Sequence, residues 1–320
     1  MPKPLVLLTH PLPKIWITVL KGKVHLEVGK EGFAGFSPQL EKYLPKAAGI
    51  LSLLTTKIDE TLFSRAPQLR VVSNMAVGVD NVDVSACTQR GIPLGHTPDV
   101  LTDATADLTM AILLSAARRL PESAHDAKEG RWGTWSPTGW LGADLRGAQL
   151  GIVGMGKIGQ AVAKRARGFG IRLAYANPAK IESDAVYLSL EELLKTSDFL
   201  SLHCPLNEST RGLIGEAELK MMKNTAILVN AARGPVVDSE ALLRALREGW
   251  ITSAALDVTD PEPLPASSPL YGLKNCLIVP HIGSATHGAR RRMAEIACEN
   301  LLAGLAGERL PHCFNPEVYA

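Results

Sequence analysis

Three residues with complementary chemistry follow three short apolar runs in the second half of the chain. Arg233 stands in Asn230-Ala231-Ala232-Arg233-Gly234, Glu262 in Asp257-Val258-Thr259-Asp260-Pro261-Glu262-Pro263, and His281 in Pro280-His281-Ile282-Gly283-Ser284. A guanidinium is a planar fork that can hold a carboxylate and polarise the carbonyl beside it. An imidazole titrates in the range where it can give a proton to that carbonyl oxygen as a hydride arrives at carbon. A carboxylate on the other ring nitrogen would orient the imidazole and favour its charged form. Together the three make a complete set for reducing a 2-keto acid, provided a cofactor supplies the hydride. Taken singly, each has a plainer reading. Arg233 could make surface ion pairs at a turn, Glu262 could be a solvated loop acid, and His281 could be a turn histidine after Pro280. Their joint occurrence after successive runs favours the chemical reading.

The hydride carrier has its own signature. Residues 149–159 form an apolar run ending in Gly154-x-Gly156-x-x-Gly159, with Lys157 and Ile158 between the last two glycines. The first glycine permits a tight turn out of a strand, and the second lets backbone N–H groups approach a pyrophosphate. The third lets the following helix sit close against the strand. The positive end of that helix would face the phosphates. The context fits, because 150–153 reads as a buried strand and 160–168 as a helix closed by glycine.

The elements that must position these residues alternate along the chain. Residues 5–9, 49–55 and 69–74 read as short buried strands, with helical patterns at 37–44 and 59–66. Such alternation predicts a parallel sheet covered by helices. A long Ala- and Leu-rich helix over 102–120 is expected to close at Pro121. The irregular stretch 130–147 holds Trp132, Trp135 and Trp140, which could form a local core under a loop or a subunit contact. From 149 the rhythm restarts, with strands at 151–153, 172–176, 199–203, 226–230, 253–258 and 276–279. Six strands is the number of a full dinucleotide-binding sheet. An amphipathic helix over 288–305 could return to the N-terminal unit.

Bulk properties narrow the function classes. The 320 residues carry 34 basic and 32 acidic side chains, a formal net charge of +2, which gives no nucleic-acid footprint. Five cysteines without a C-x-x-C pair argue against a disulfide framework or a zinc site, and for a reducing compartment. The start lacks the parts of a secretory leader, and no run reaches the roughly 18 apolar residues of a membrane span. A cytoplasmic protein with no metal, membrane or nucleic-acid partner is expected. His96, His203 and His287 lack chemical company and read as structural. Cys204, before Pro205, reads as an apolar wall of the cofactor cleft, since no base motif adjoins it.

GMGKIGQAVAKRARGFG, LVNAARGPVVD, ALDVTDPEPLP and VPHIGSATH resemble, in order and spacing, the signature segments of the D-isomer-specific 2-hydroxyacid dehydrogenase family. The resemblance covers nearly the whole chain. TPDVLTDATADLTMAILL and the segments around Glu262 and His281 are most similar to glyoxylate/hydroxypyruvate reductases. The resemblance implies that Arg233 binds the substrate carboxylate and carbonyl, with His281 as acid/base and Glu262 as its partner. It also implies that Val77 and Gly78, in the small-residue turn 75–79, offer backbone N–H groups to the carboxylate. Gly154 and the Gly156-Lys157-Ile158-Gly159 stretch would hold the pyrophosphate, with Ala231, Ala232, Asp257 and Gly283 near the nicotinamide. An aromatic in the Trp140 region would reach the partner's active site in a homodimer.

One position departs from the family pattern. NAD-preferring members carry an acid at the end of the second strand, where it bonds the ribose hydroxyls, and here that place is held by Asn177. Without a carboxylate there is no repulsion of a 2′-phosphate, and Lys180 could assist. NADP(H) is therefore the favoured cofactor, with NAD(H) usable. The expected molecule is an α/β chain of two doubly wound parallel-sheet domains. A Rossmann cofactor domain would span 100–287, and a flavodoxin-like substrate domain would combine 1–99 with 288–320. Two other readings share this scaffold: an NAD(H)-sensing corepressor-like binding protein, and a dehydrogenase of phosphite, formate or phosphoglycerate. The full Arg-Glu-His set weighs against the first, and within the second pocket shape decides phosphite or formate oxidation.

Overall fold

A computed structural model describes residues 2–320. Two compact units emerge, one from residues up to Leu101 with Thr286–Ala320, the other from Thr102–Ala285.

The first unit is a five-stranded parallel sheet of β1 (Leu5–Leu8), β2 (His25–Val28), β3 (Gly49–Ser52), β4 (Val71–Asn74) and β5 (Leu94–Gly95), in the order β2-β1-β3-β4-β5. That is the flavodoxin-like doubly wound order. Helices α1 (Pro38–Glu41), α2 (Glu60–Arg65) and α3 (Val84–Gln89) connect the strands. Asp59 and Asp83 start α2 and α3 by accepting the N–H groups of Leu62 at 3.2 Å and Ala86 at 2.8 Å. Alternate strand residues face opposite layers. Leu7, Ile50, Val72 and Leu94 pack with Leu40, Leu62 and Phe63, while Val6, Leu8, Leu51 and Val71 pack with Met293, Ala297 and Leu301 of the closing helix His287–Ala306. The sequence reading finds β1, β3 and β4 but not β2 or β5. Strand β2 has no fully buried side chain, and β5 is two residues long.

The second unit is a seven-stranded parallel sheet. Its strands are β6 (Gln149–Val153), β7 (Arg172–Ala176), β8 (Val186–Tyr187), β9 (Phe199–Leu202), β10 (Ile227–Asn230), β11 (Ser253–Leu256) and β12 (Cys276–Ile278), ordered β12-β11-β10-β9-β6-β7-β8. The order reverses between β6 and β9, and ligands bind at such a switch point in open α/β sheets. The strand beyond the expected six is β8, a pair of exposed residues at the sheet edge that carries no apolar run to read.

Helices α4 (Thr102–Ala117), α5 (Leu120–Lys128), α6 (Lys157–Arg167), α7 (Leu190–Thr196), α8 (Glu216–Met221) and α9 (Ser239–Glu248) complete this unit. Two boundaries correct the sequence reading. The long helix ends at Ala117, Arg119 turns into the left-handed region at φ 51°, and Pro121 sits in the first turn of α5. Proline lacks an N–H, so a first helical turn accepts it without losing a bond; here it opens a helix instead of closing one. The helix after the glycine-rich turn begins at Lys157, not 160, which places Gly159 inside its first turn. The Trp132 and Trp135 side chains are 76% and 80% exposed, so the local core that 130–147 could have formed is absent. Among the described residues no helix is long and apolar enough to cross a membrane.

Candidate active site

Strand β10 ends in Asn230, buried to 1% exposure, whose carboxamide shapes the turn that follows. Its Oδ1 accepts the Ala232 N–H at 3.0 Å, and its Nδ2 donates to the Arg233 carbonyl at 2.9 Å. Arg233 leaves this turn in extended geometry, with Nη1 donating to the Ala232 carbonyl at 2.9 Å. The next residue must be glycine. A Cβ on Gly234 would stand 1.9 Å from the Thr259 oxygen and 2.1 Å from its carbonyl carbon. The turn that presents Arg233 and the turn that leads to Glu262 therefore touch backbone to backbone.

Asp257, 2% exposed, follows β11 and braces the last turn. Its carboxylate accepts the N–H groups of Ile282 at 2.6 Å and Gly283 at 2.9 Å, and its carbonyl accepts the His281 N–H at 2.9 Å. Its own N–H donates to the Asn230 carbonyl at 2.9 Å, so the ends of β10, β11 and β12 are linked in series. Burial pushes the Asp257 carboxyl above its ordinary value, against the two N–H donors and the neighbouring His281. The sequence reading puts Asp257 beside the nicotinamide; the structure adds that both its carboxylate oxygens serve the 281–283 turn.

His281 adopts φ 50°, a left-handed conformation uncommon outside glycine that persists only where its surroundings enforce it. Its Nδ1 lies 2.5 Å from Oε1 of Glu262, with the two side chains 23% and 31% exposed. Oε2 of Glu262 accepts the Thr259 N–H at 3.4 Å. This leaves Nε2 of His281 without a partner among the described residues, and that nitrogen can exchange a proton with a ligand.

The glycine-rich turn follows β6. Gly154 has φ 93°, and a Cβ there would come 2.5 Å from the Cys204 nitrogen. A Cβ on Gly159 would fall 2.3 Å from the Gly154 oxygen, whereas at Gly156 it would meet open space. Two glycines thus allow close packing and the middle one leaves room for a ligand, at the N-terminus of α6, which no side chain caps among the described residues. Lys157 and Ile158 are the first residues of α6. Oδ1 of Asn177, just past β7, accepts the Met155 N–H at 2.8 Å and so ties the end of β7 to the glycine-rich turn. Cys204 backs the turn, is 8% exposed, and has its thiol pushed up by burial, which fits a wall and not a nucleophile.

The structure thus brings Glu262 onto His281, sets the Arg233 turn on the turn before Glu262, and gathers Gly154, Asn177 and Cys204 around one turn. Val77 and Gly78 belong to the other unit, in the turn after β4. Trp140 sits at the α4–α5 junction with the Arg119 guanidinium 4.8 Å from its ring centre. The sequence reading misses Asn230 and Thr259. A polar residue at the end of the apolar run Ile227–Asn230 is the signal that could have found the first.

Residues 110–283 match the sequence model of the D-isomer specific 2-hydroxyacid dehydrogenase, NAD binding domain. The chain belongs to the D-isomer-specific 2-hydroxyacid dehydrogenase family. It is an NAD(P)-dependent dehydrogenase, and the residues matched by the NAD binding domain fall within the second unit. The glyoxylate reductase of Korarchaeum cryptofilum is 45% identical over 322 residues, covering 99% of this chain and 97% of that protein. A crystal structure of a protein from Thermus thermophilus superposes with a TM-score of 0.92 at 48% identity, covering 97% of this chain and 99% of that one. The NADPH-dependent glyoxylate/hydroxypyruvate reductase of Sinorhizobium meliloti, in complex with NADP and malonate, gives 0.87 at 29% identity over 98% of both chains.

His203, next to Cys204, has Nε2 2.8 Å from the Ser201 hydroxyl and a buried Nδ1 without a partner among the described residues. Burial pushes its imidazole from 6.5 down to about 4. The folded chain therefore refuses a proton that the unfolded chain accepts, so stability is full above the unfolded value and is lost as pH falls through the folded one. The thermal midpoint of the parent should drop between pH 6.5 and about 4 more steeply than that of His203→Gln. Parallel curves for the two proteins would remove His203 as the cause.

Proposed function

We propose that this chain reduces glyoxylate to glycolate and hydroxypyruvate to D-glycerate, using NADPH or NADH. The observation that carries the reading is the 2.5 Å contact of His281 Nδ1 with Glu262, beside an arginine turn packed against the same loop. The named reductases above support the choice of substrate.

In this reading Arg233 holds the substrate carboxylate and polarises the adjacent carbonyl, and the backbone N–H groups of Val77 and Gly78 also donate to the carboxylate. When bound, the dinucleotide supplies the hydride that adds to the carbonyl carbon. His281 gives its Nε2 proton to the carbonyl oxygen, so that a 2-hydroxy acid leaves. Glu262 orients the ring through Nδ1. Gly154, Gly156, Lys157, Ile158 and Gly159 would cradle the pyrophosphate, with Cys204 and Pro205 as the wall behind. Ala231, Ala232, Asp257 and Gly283 would line the nicotinamide end. The exposed tryptophans and Trp140 would form a subunit contact in a cytoplasmic homodimer.

Asn177 sets the cofactor preference. It brings no charge to repel a 2′-phosphate, and the exposed Lys180 adds attraction. NADPH is therefore favoured and NADH remains usable.

His281→Ala should lower kcat for glyoxylate by about 10²–10⁴-fold, the usual yield of a positioned acid/base, with KM little changed. Arg233→Ala should raise KM as well as lower kcat. Turnover near the parent's in His281→Ala would end the acid/base assignment. For the cofactor, kcat/KM should be higher with NADPH than with NADH; a preference for NADH of about a hundredfold, some 2.7 kcal/mol, would contradict the role given to Asn177.

A further inference from the structure

The turn after β4 is held by its carbonyl groups. The Ala76 carbonyl accepts the Thr97 N–H at 2.8 Å, and the Gly78 carbonyl accepts Nδ2 of Asn74 at 3.2 Å. Between them, the Val77 carbonyl lies 3.2 Å from Nδ1 of His96. Asn74 is fully buried and is itself fixed, with Oδ1 accepting the Ser52 hydroxyl at 3.0 Å and Nδ2 also reaching Oδ1 of Asn81 at 3.0 Å.

A trans peptide is planar, so its carbonyl and the N–H of the next residue point in opposite directions. Pinning the Ala76 carbonyl to Thr97 therefore aims the Val77 N–H the other way. Pinning the Val77 carbonyl to His96 does the same for the Gly78 N–H. Neither N–H has a partner among the described residues, and both residues are partly open. Adjacent N–H groups presented this way form a cradle for an anion.

His96 has little freedom of its own. Its N–H donates to the His312 carbonyl at 3.1 Å, and its carbonyl accepts Nδ2 of Asn300 at 3.0 Å. Its ring stands edge-on to Phe314, with centres 5.2 Å apart and planes at 85°. Burial lowers the imidazole from its ordinary value, outweighing the opposite pull of the Val77 hydrogen bond, which favours the neutral ring. A carbonyl can only accept, so the single ring N–H sits on Nδ1, facing Val77.

We infer that His96 is a positioning residue for substrate recognition: its Nδ1–H fixes the Val77–Gly78 peptide so that the Gly78 N–H faces the carboxylate of a 2-keto acid. This inference rests on the functional reading above, in which that cradle receives the carboxylate. A histidine that reads as structural from sequence thereby sets affinity for the acid without touching it.

The test is steady-state kinetics with glyoxylate and NADPH on the full chain, together with inhibition by oxamate, a non-reducible 2-keto acid mimic. His96→Phe keeps an aromatic ring against Phe314 but has no donor. It should raise KM for glyoxylate and Ki for oxamate by about tenfold, with kcat within about threefold and KM for NADPH unchanged. His96→Asn carries an amide donor near the Nδ1 position and should restore both constants to within about threefold of the parent. Should His96→Phe not accumulate as folded protein, His96→Leu serves the same purpose. Parent-like constants in the donorless variant, equal impairment of the Asn variant, or a matching rise in KM for NADPH would each overturn the inference. A parent chain that neither reduces glyoxylate nor binds oxamate would overturn the functional reading and this inference together.

Discussion

The contact between the His281 ring and the Glu262 carboxylate sets the terms for everything around it. At 2.5 Å it tolerates little displacement, yet its partners come from different loops, neither of them inside a helix or strand. The surrounding residues solve this by bracing backbone against backbone. Asp257 commits both carboxylate oxygens to the 281–283 turn, and Gly234 gives up a side chain so that the Arg233 turn can rest on Thr259. Burying the Asp257 carboxylate is costly, and two N–H donors offset that cost. The left-handed backbone of His281 is a further cost carried by the same braces.

Parallel pairing explains why these loops meet at all. Asn230 registers with Leu256, and Leu256 with Ile278, so β10, β11 and β12 end at one level and release their loops on the same side. The glycine-rich turn leaves β6 at the sheet's reversal point, where Cys204 after β9 packs against Gly154. The glycine-rich turn and the Glu262–His281 pair thus lie at strand ends of one sheet. In an NAD(P)-dependent dehydrogenase the dinucleotide brings the hydride, and in the proposed reading the protein brings orientation and a proton.

Much of this was legible in the sequence because it was written in short-range signals. Buried parallel strands are continuous apolar runs, so β6, β7 and β9 to β12 stand out, and the residues proposed for the chemistry lie in the loops that follow β10, β11 and β12. The glycine spacing named the turn, and packing later gave each glycine its reason. What was not legible depended on distance in space. Strands β2 and β8 pair at sheet edges with side chains too exposed to form a run. Pro121 could close one helix or open the next, and only the backbone of Arg119 decides between them. Asn230, Thr259 and His96 work through hydrogen bonds to backbone groups, which leave no pattern of side-chain types.

The central claim is that Glu262 and His281 act as one unit, and a double-mutant cycle on kcat for glyoxylate reduction tests it most directly. Glu262→Gln alone should lower kcat by on the order of 10–100-fold, but in a His281→Ala background it should cost less than about threefold, because its effect runs through the imidazole. Equal losses from Glu262→Gln in both backgrounds would show two independent residues and contradict the account.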